Sequence, residues 1–193
     1  MKQLLFFSNN KNKIKEIKNI FRKSNLKLLS LGDLRINDEP KENGKTFEEN
    51  AKIKSEYGFN KTGIPCFADD SGICIETLNW RPGVFSKRFL NKFKNNETCF
   101  KNIISSIKKN GKQKAYFKTS ISLTINKYQN VVFNGIIEGK ISNQITGGFG
   151  FGYDPIFIPK YYRKTLAELS MKEKNEISHR SIAVKKLINF LSN

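Results

Sequence analysis

The chain has 193 residues, 38% of them hydrophobic and 16 of them Phe, enough to build a real core in one domain, 1–193. One histidine, His179, excludes a multi-histidine metal centre, and three cysteines (Cys66, Cys74, Cys99) with no Cys-x-x-Cys pair indicate neither a disulfide framework nor a zinc site. A metal here must be held by oxygen, which favours Mg2+ or Mn2+. The net charge of +18 has two readings, a field that attracts polyanions or compositional drift; the lysines are scattered rather than massed in a tail, which favours drift.

No apolar run approaches the ~18–20 residues of a transmembrane helix. The opening Met1-Lys2-Gln3-Leu4-Leu5-Phe6-Phe7 is too short for a signal peptide and no cleavage-type site follows it, so a cytoplasmic protein is expected. Lys2 to Phe7 reads as a buried first strand. Ser8-Asn9-Asn10-Lys11-Asn12-Lys13 follows, and Ile14, Ile17, Ile20 and Phe21 then recur at helical spacing, so a helix starts at about Asn12. A strand, a loop of amides and lysines, then a helix N-terminus can receive phosphate, or can be an ordinary capped turn. Leu26 to Leu31 reads as a second strand, and Arg35 to Lys45 as a loop. Thr46 caps a helix from Phe47 to about Gly58, with Glu49 in capping-box position.

Pro65-Cys66-Phe67-Ala68-Asp69-Asp70-Ser71-Gly72 brings an apolar run up to two adjacent carboxylates. It reads as a strand that ends at an Asp-Asp-Ser-Gly turn, followed by a short strand Ile73-Cys74-Ile75. Adjacent carboxylates repel, so the pair suits a Mg2+ or catalytic-base site; Asp, Ser and Gly are also plain turn residues. Asn79 to Phe89 reads as a loop over the core. Asn96 to Lys109 forms an amphipathic helix, and Lys114–Asn126 with Asn130–Ile141 a hairpin, in which Gly135 and Gly139 mark bulges or bends. The stretch Gly147-Gly148-Phe149-Gly150-Phe151-Gly152-Tyr153-Asp154 alternates glycines with aromatics, which lets a ligand approach the backbone and a flat ring stack. Ser178 caps a final helix that runs to about Leu191, with His179 and Arg180 at its start.

Four segments in this order resemble the inosine triphosphate pyrophosphatase family of non-standard purine NTP pyrophosphatases. They are Ser8–Lys13, Gly44-Lys45-Thr46-Phe47-Glu48-Glu49-Asn50-Ala51, Phe67–Gly72, and Gly152-Tyr153-Asp154-Pro155-Ile156-Phe157 with Ser178-His179-Arg180. The resemblance implies an α/β (mixed α+β) fold: a long central mixed β-sheet with flanking helices, in two lobes around a substrate cleft. It implies a homodimer with Mg2+ as cofactor and a purine nucleoside triphosphate as substrate, and neither a membrane nor a specific nucleic acid as partner. The implied activity splits ITP, dITP and XTP into the monophosphate and pyrophosphate, cleansing the nucleotide pool. Carried over residue by residue, Asp70 is the catalytic carboxylate and a metal ligand. Ser8, Asn10 and Lys13 match the phosphate-binding loop, Asn9, Lys11 and Asn12 count with them as substrate-binding, and Ser71 matches a substrate contact. Phe151, Gly152, Tyr153, Asp154, Lys174, His179 and Arg180 recognise the base. Two departures stand out. Lys41 occupies a position where an acidic metal ligand is common in the family, which leaves Glu42, or else Glu39, for that role. The Gly-Phe-Gly-Phe-Gly-Tyr-Asp run is also two residues longer than the usual pattern, so Phe151 rather than Phe149 is assigned as the stacking ring. The alternatives are a basic nucleic-acid-binding protein, which leaves Asp69-Asp70 unexplained, and a pyrophosphatase homologue whose site has decayed.

Overall fold

The structure is a computed structural model that describes residues 3–22, 24 and 26–192; Lys2, placed by the sequence at the head of the first strand, lies outside them. The chain runs β1 (Gln3–Phe6), α1 (Lys11–Phe21), β2 (Lys27–Ser30), α2 (Phe47–Thr62), β3 (Cys66–Ile75), β4 (Arg81–Pro82), α3 (Ser86–Leu90), α4 (Asn96–Asn110), β5 (Lys114–Asn126), β6 (Gln129–Ile141), β7 (Phe157–Pro159), α5 (Met171–Ile177) and α6 (His179–Ser192). The strands make one mixed sheet in the order β2-β1-β3-β5-β6-β7, with β4 paired to β3. β1 pairs in parallel with β2 and β3, while β4 on β3 and β7 on β6 are antiparallel. Residues 127 and 128 alone join β5 to β6, a connection that only antiparallel neighbours allow. Among the described residues no helix is long and apolar enough to cross a membrane.

The described residues divide into two compact units. The first draws on Met1–Asp70, Thr119–Gly135 and Arg180–Asn193, and the second on Ser71–Lys118 and Ile136–His179. In the first unit β1 is apolar from Leu4 onward because both of its faces are covered. Leu4 and Phe6 pack with Ile17, Phe21, Phe67, Ile121, Val184 and Leu187. Leu5 and Phe7, one residue out of phase, pack with Leu31, Cys66 and Ala68. Phe67 stacks on Phe6 and Phe21 at ring-centroid distances of 4.9 and 5.7 Å, each pair contributing about 0.5–1.5 kcal/mol beyond burial. The core of the second unit joins Ile73 and Ile75 to Cys99, Phe100, Ile103 and Ile107 of α4 and to Phe117, Tyr153, Ile156 and Phe157. Asn95 caps α4, accepting from the Thr98 amide at 2.8 Å, and Gly111 at φ 72° ends it.

Four expectations change, the first being that Asn79 to Phe89, read as a loop, carries β4 and most of α3. β3 does not stop at the two carboxylates; it runs unbroken through Asp69, Asp70, Ser71 and Gly72 to Ile75. Strand geometry sends consecutive side chains to opposite faces, which separates the carboxylates and removes the reason for a turn. Gly72 is needed there because a Cβ would strike the Gly83 carbonyl oxygen and the Ser86 hydroxyl. α1 begins one residue earlier than the apolar pattern suggests, because Asn10 caps it. α2 runs four residues past Gly58 and ends at Gly63, whose φ of 68° supplies the left-handed cap.

Candidate active site

The first unit gathers charge on both faces of β3. Asp69 falls on the side of Phe67, and there its Oδ2 meets the Lys13 ammonium at 3.0 Å and Arg180 Nε at 3.3 Å. Lys13 comes from α1 and Arg180 from α6; Arg180 Nη1 also pairs with Glu16 of α1. Asp69, Glu16 and Arg180 are all buried, at 1%, 2% and 2% exposure. Burial alone would raise the Asp69 pKa, but the charges of Lys13, Arg180 and Lys54 outweigh it and hold the carboxyl well below its usual range. Burial likewise opposes the Arg180 charge, and Glu16 and Asp69 outweigh that.

Asp70 falls on the opposite side, that of Ala68, and its Oδ2 accepts from Asn50 Nδ2 of α2 at 3.0 Å. Asn50 Oδ1 in turn accepts from the Gly44 amide at 2.8 Å, tying the preceding loop to the carboxylate. One turn along α2, Lys54 donates to the Asp69 carbonyl oxygen at 2.6 Å and pairs with Glu42 at 3.1 Å. Burial raises the Asp70 carboxyl and Glu42 adds to the rise, against the pull of Lys54 and Lys13. The loop after β1 is built on its own amides. Asn10 Oδ1 accepts from the Asn12 and Lys13 amides, and Ser8 Oγ from the Asn10 amide. Asn9 donates its amide to Glu39, so that carboxylate is engaged with backbone. Lys11 and Asn12 are exposed on the first turn of α1.

The second unit holds the other candidates. Gly147, Gly150 and Gly152 all take positive φ, at 85°, 78° and 63°. At Gly150 the reason is direct: a Cβ would overlap the Asp154 carboxylate, which accepts from the Phe151 amide at 2.8 Å. The Lys174 ammonium, buried like Asp154, donates to the same carboxylate at 2.5 Å and lies 4.8 Å from the centre of the Phe151 ring. Tyr153 is buried and donates to the Ser86 carbonyl oxygen at 2.9 Å. His179, 4% exposed, stacks on Phe117 at 4.7 Å with a 9° tilt. Phe149 is 66% exposed and Phe151 half-buried against Lys174, so the longer glycine run places its two aromatic rings very differently. Ser71 follows Asp70 on β3.

Sequence reasoning missed Glu16, Asn50 and Lys54. The signal was present in α2, where Asn50, Ala51, Lys54, Ser55 and Gly58 recur at helical spacing and form its buried side. A helix whose buried stripe is polar and small is covering something polar. Among the described residues no group of three or more His, Cys, Asp or Glu side chains is arranged to hold a metal ion.

A family model described as the Ham1 family matches residues 4–190. The dITP/XTP pyrophosphatase of Christiangramia forsetii is 43% identical over 190 residues, covering 98% of this chain and 99% of the relative. That of Flavobacterium psychrophilum is 43% identical over 191 residues, covering 99% and 100%. The solved structure of a HAM1 protein from Coxiella burnetii superposes with a TM-score of 0.89 at 34% identity, over 100% of this chain and 99% of that one.

Proposed function

The chain belongs to the Ham1 family, and from that membership we propose that it is a dITP/XTP pyrophosphatase that also takes ITP, releasing the monophosphate and pyrophosphate. The observation that carries this reading beyond the family is the charge arrangement on β3. One carboxylate, Asp69, is neutralised by Lys13 and Arg180, and its neighbour Asp70 faces away from them, held by an amide. An ion-pair anchor and a separate base are what phosphoryl chemistry asks of a protein.

Asp70 is assigned as the base that takes a proton from the attacking water, and burial moves its pKa in the direction a base requires. Lys13 and the amide-rich loop Ser8–Asn12 are assigned to the phosphates, with Asp69 fixing the direction of the Lys13 ammonium. Mg2+ suits Glu42 and Asp70: both are hard oxygen donors, and the Glu42 charge raises the cost of ionising Asp70, a repulsion that a dication relieves. Two carboxylates completed by phosphate oxygens are a usual Mg2+ complement; when bound, the ion would neutralise charge on the reacting phosphates. Lys54 already spans that acidic group, pairing with Glu42.

Base choice is assigned to Phe151–Asp154, Lys174, His179 and Arg180. Hypoxanthine and xanthine carry an acceptor oxygen at purine position 6, and adenine carries a donor amino group there. Ammonium and guanidinium groups only donate, so they satisfy the oxygen and mismatch the amine. A mismatch of this kind in a buried site discriminates by about 10⁴ or more. Guanine shares the oxygen, so its rejection must rest on the 2-amino group. The enzyme is assigned as a homodimer on the same family grounds. The test is pyrophosphate release from dITP, XTP, ITP, ATP and GTP, with and without Mg2+. Expected are high kcat/KM for the first three and none in excess chelator; equal hydrolysis of ATP would overturn the base assignment.

A further inference from the structure

Away from these residues, the second unit carries a groove of about 590 Å³ that no step of the hydrolysis uses. Its walls come from two turns with left-handed backbone. The chain after β3 ends in Asn79 and Trp80 at φ 52° and 63°, and the chain after β7 carries Tyr161 at φ 69°. Bulky residues rarely take this conformation, and here both turns deliver an aromatic ring to one groove. Trp80 lies 5.6 Å from Tyr116, and Tyr161 and Tyr162 complete the aromatic lining; Trp80, Tyr161 and Tyr162 are 46%, 92% and 42% exposed. Lys114, Lys140 and Lys160 share the lining with these rings, against Glu138 as the acidic residue of the lining. Lys160 reaches both Glu138, at 3.4 Å, and the Tyr161 ring, at 5.3 Å.

Exposed rings and cations lining one groove match a ligand that carries both flat bases and phosphates. We propose that this groove binds single-stranded nucleic acid without reading its sequence. The lysines decide between a strand and a free nucleotide. All three are exposed, so each attracts a phosphate weakly. A strand brings a phosphate with every nucleotide and gains from the release of its condensed counterions, which a lone nucleotide does not. A duplex keeps its base faces stacked inside and cannot offer them to Trp80. Stacking on aromatic rings is tolerant of sequence because every base has a π-face.

Trp80 is the one tryptophan of the chain, so its emission reports on the groove directly. The full-length protein is titrated with oligodeoxythymidylate of about 12 nucleotides, within the span of single-strand sites. Expected are quenching of Trp80 and an affinity that falls with NaCl, with a log–log slope of about −0.7 for each phosphate held. With a fluorescein-labelled strand and anisotropy as readout, Trp80→Ala weakens binding about 5- to 150-fold. The triple variant Lys114→Glu, Lys140→Glu, Lys160→Glu weakens it further, and both variants hydrolyse dITP like wild type. Trp80→Phe, which keeps a ring, retains binding. A matched triple on α4, Lys101→Glu, Lys108→Glu, Lys109→Glu, changes charge equally away from the groove; an equal loss there would mean general attraction and overturn the proposal. So would an unquenched Trp80, equal quenching by free dTMP or by duplex, or a dimer that Trp80→Ala dissociates while no strand binds.

Discussion

Asp69 and Asp70 are neighbours with opposite duties, and removing each charge should fail in a different way. Asp69 compensates Lys13 and Arg180 in a buried site. Asp69→Asn leaves those cations underpaired, and breaking a buried pair by removing one partner costs about 3–5 kcal/mol. The expected result in urea unfolding is a large loss of stability. Asp70→Asn keeps the hydrogen-bonding shape beside Asn50 and should unfold nearly like wild type, while turnover drops by about 10²–10⁴. If Asp70→Asn kept most of its turnover, the base would have to be sought at Asp69. Arg180→Ala is a poor probe of base reading for the same reason, since it strands Glu16 and Asp69 together; Arg180→Lys keeps the charge and is the cleaner variant. A surface clamp offers the pH test. Asp38 accepts from Lys61 at 2.7 Å and from the Tyr57 hydroxyl, and these two bonds lower its pKa from 3.8 to about 2. The sign follows from the depression: the clamp contributes fully above about pH 3.8 and is lost as pH falls through about 2. Asp38→Asn should therefore melt slightly below wild type at neutral pH, with the gap closing by about pH 2, because an exposed pair contributes little and salt screens it. A gap that stays constant down to that pH would show that the ion pair is not its cause.

At the scale of elements, α2 explains why some of the fold could be read in advance and some could not. Its start was legible because Thr46 and Glu49 form a local capping box, and local chemistry is written in adjacent residues. Its buried side was not, because Lys54 is buried only by virtue of Glu42 and the Asp69 carbonyl oxygen, partners distant in sequence. The same divide runs through the chain. α1, α4 and the β5–β6 hairpin declare themselves by periodicity. The short α3 and α5 have too few turns to show one, and the continuity of β3 through Asp69-Asp70-Ser71-Gly72 depends on charges brought in by α1 and α6. Among the site residues, the carboxylates and the glycine run were legible by type and order, and Asn50 lay on a polar buried stripe of α2 whose partner, Asp70, the spacing does not name, whereas Glu16 matters through a contact with Arg180 that no spacing announces. Gly58 turns this into a prediction. Alanine in a helix interior gains about 1 kcal/mol over glycine by propensity. Here a Cβ would lie 2.5 Å from Cys66 Sγ and 2.6 Å from the Phe7 ring, both fully buried. Overpacking of that kind costs about 1–3 kcal/mol, so the core term wins and Gly58→Ala should lower Tm. A raised Tm would mean that Phe7 can repack.

For the whole molecule the open question is whether a net charge of +18 is carried passively. Like charges in excess destabilise the compact state by self-repulsion, and they also attract a polyanionic substrate. Added salt weakens both effects, because the Debye length shrinks from about 30 Å at 0.01 M to about 8 Å at 0.15 M. The buried pairs, such as Lys174 with Asp154, are shielded from that change, so the surface excess dominates the response. Stability and substrate capture should therefore move in opposite directions over this range: Tm rises, and kcat/KM for dITP falls by about tenfold, at the low end of what electrostatic steering supplies. NaCl is the right titrant, since sulfate would stabilise any fold by exclusion and mask the sign. Mg2+ is held constant so that chelation of the triphosphate does not vary. A Tm that falls with NaCl would mean that favourable ion pairs outweigh the repulsion. A rising Tm with a flat kcat/KM would mean that the lysines burden the fold and do nothing for catalysis, which is the outcome compositional drift requires.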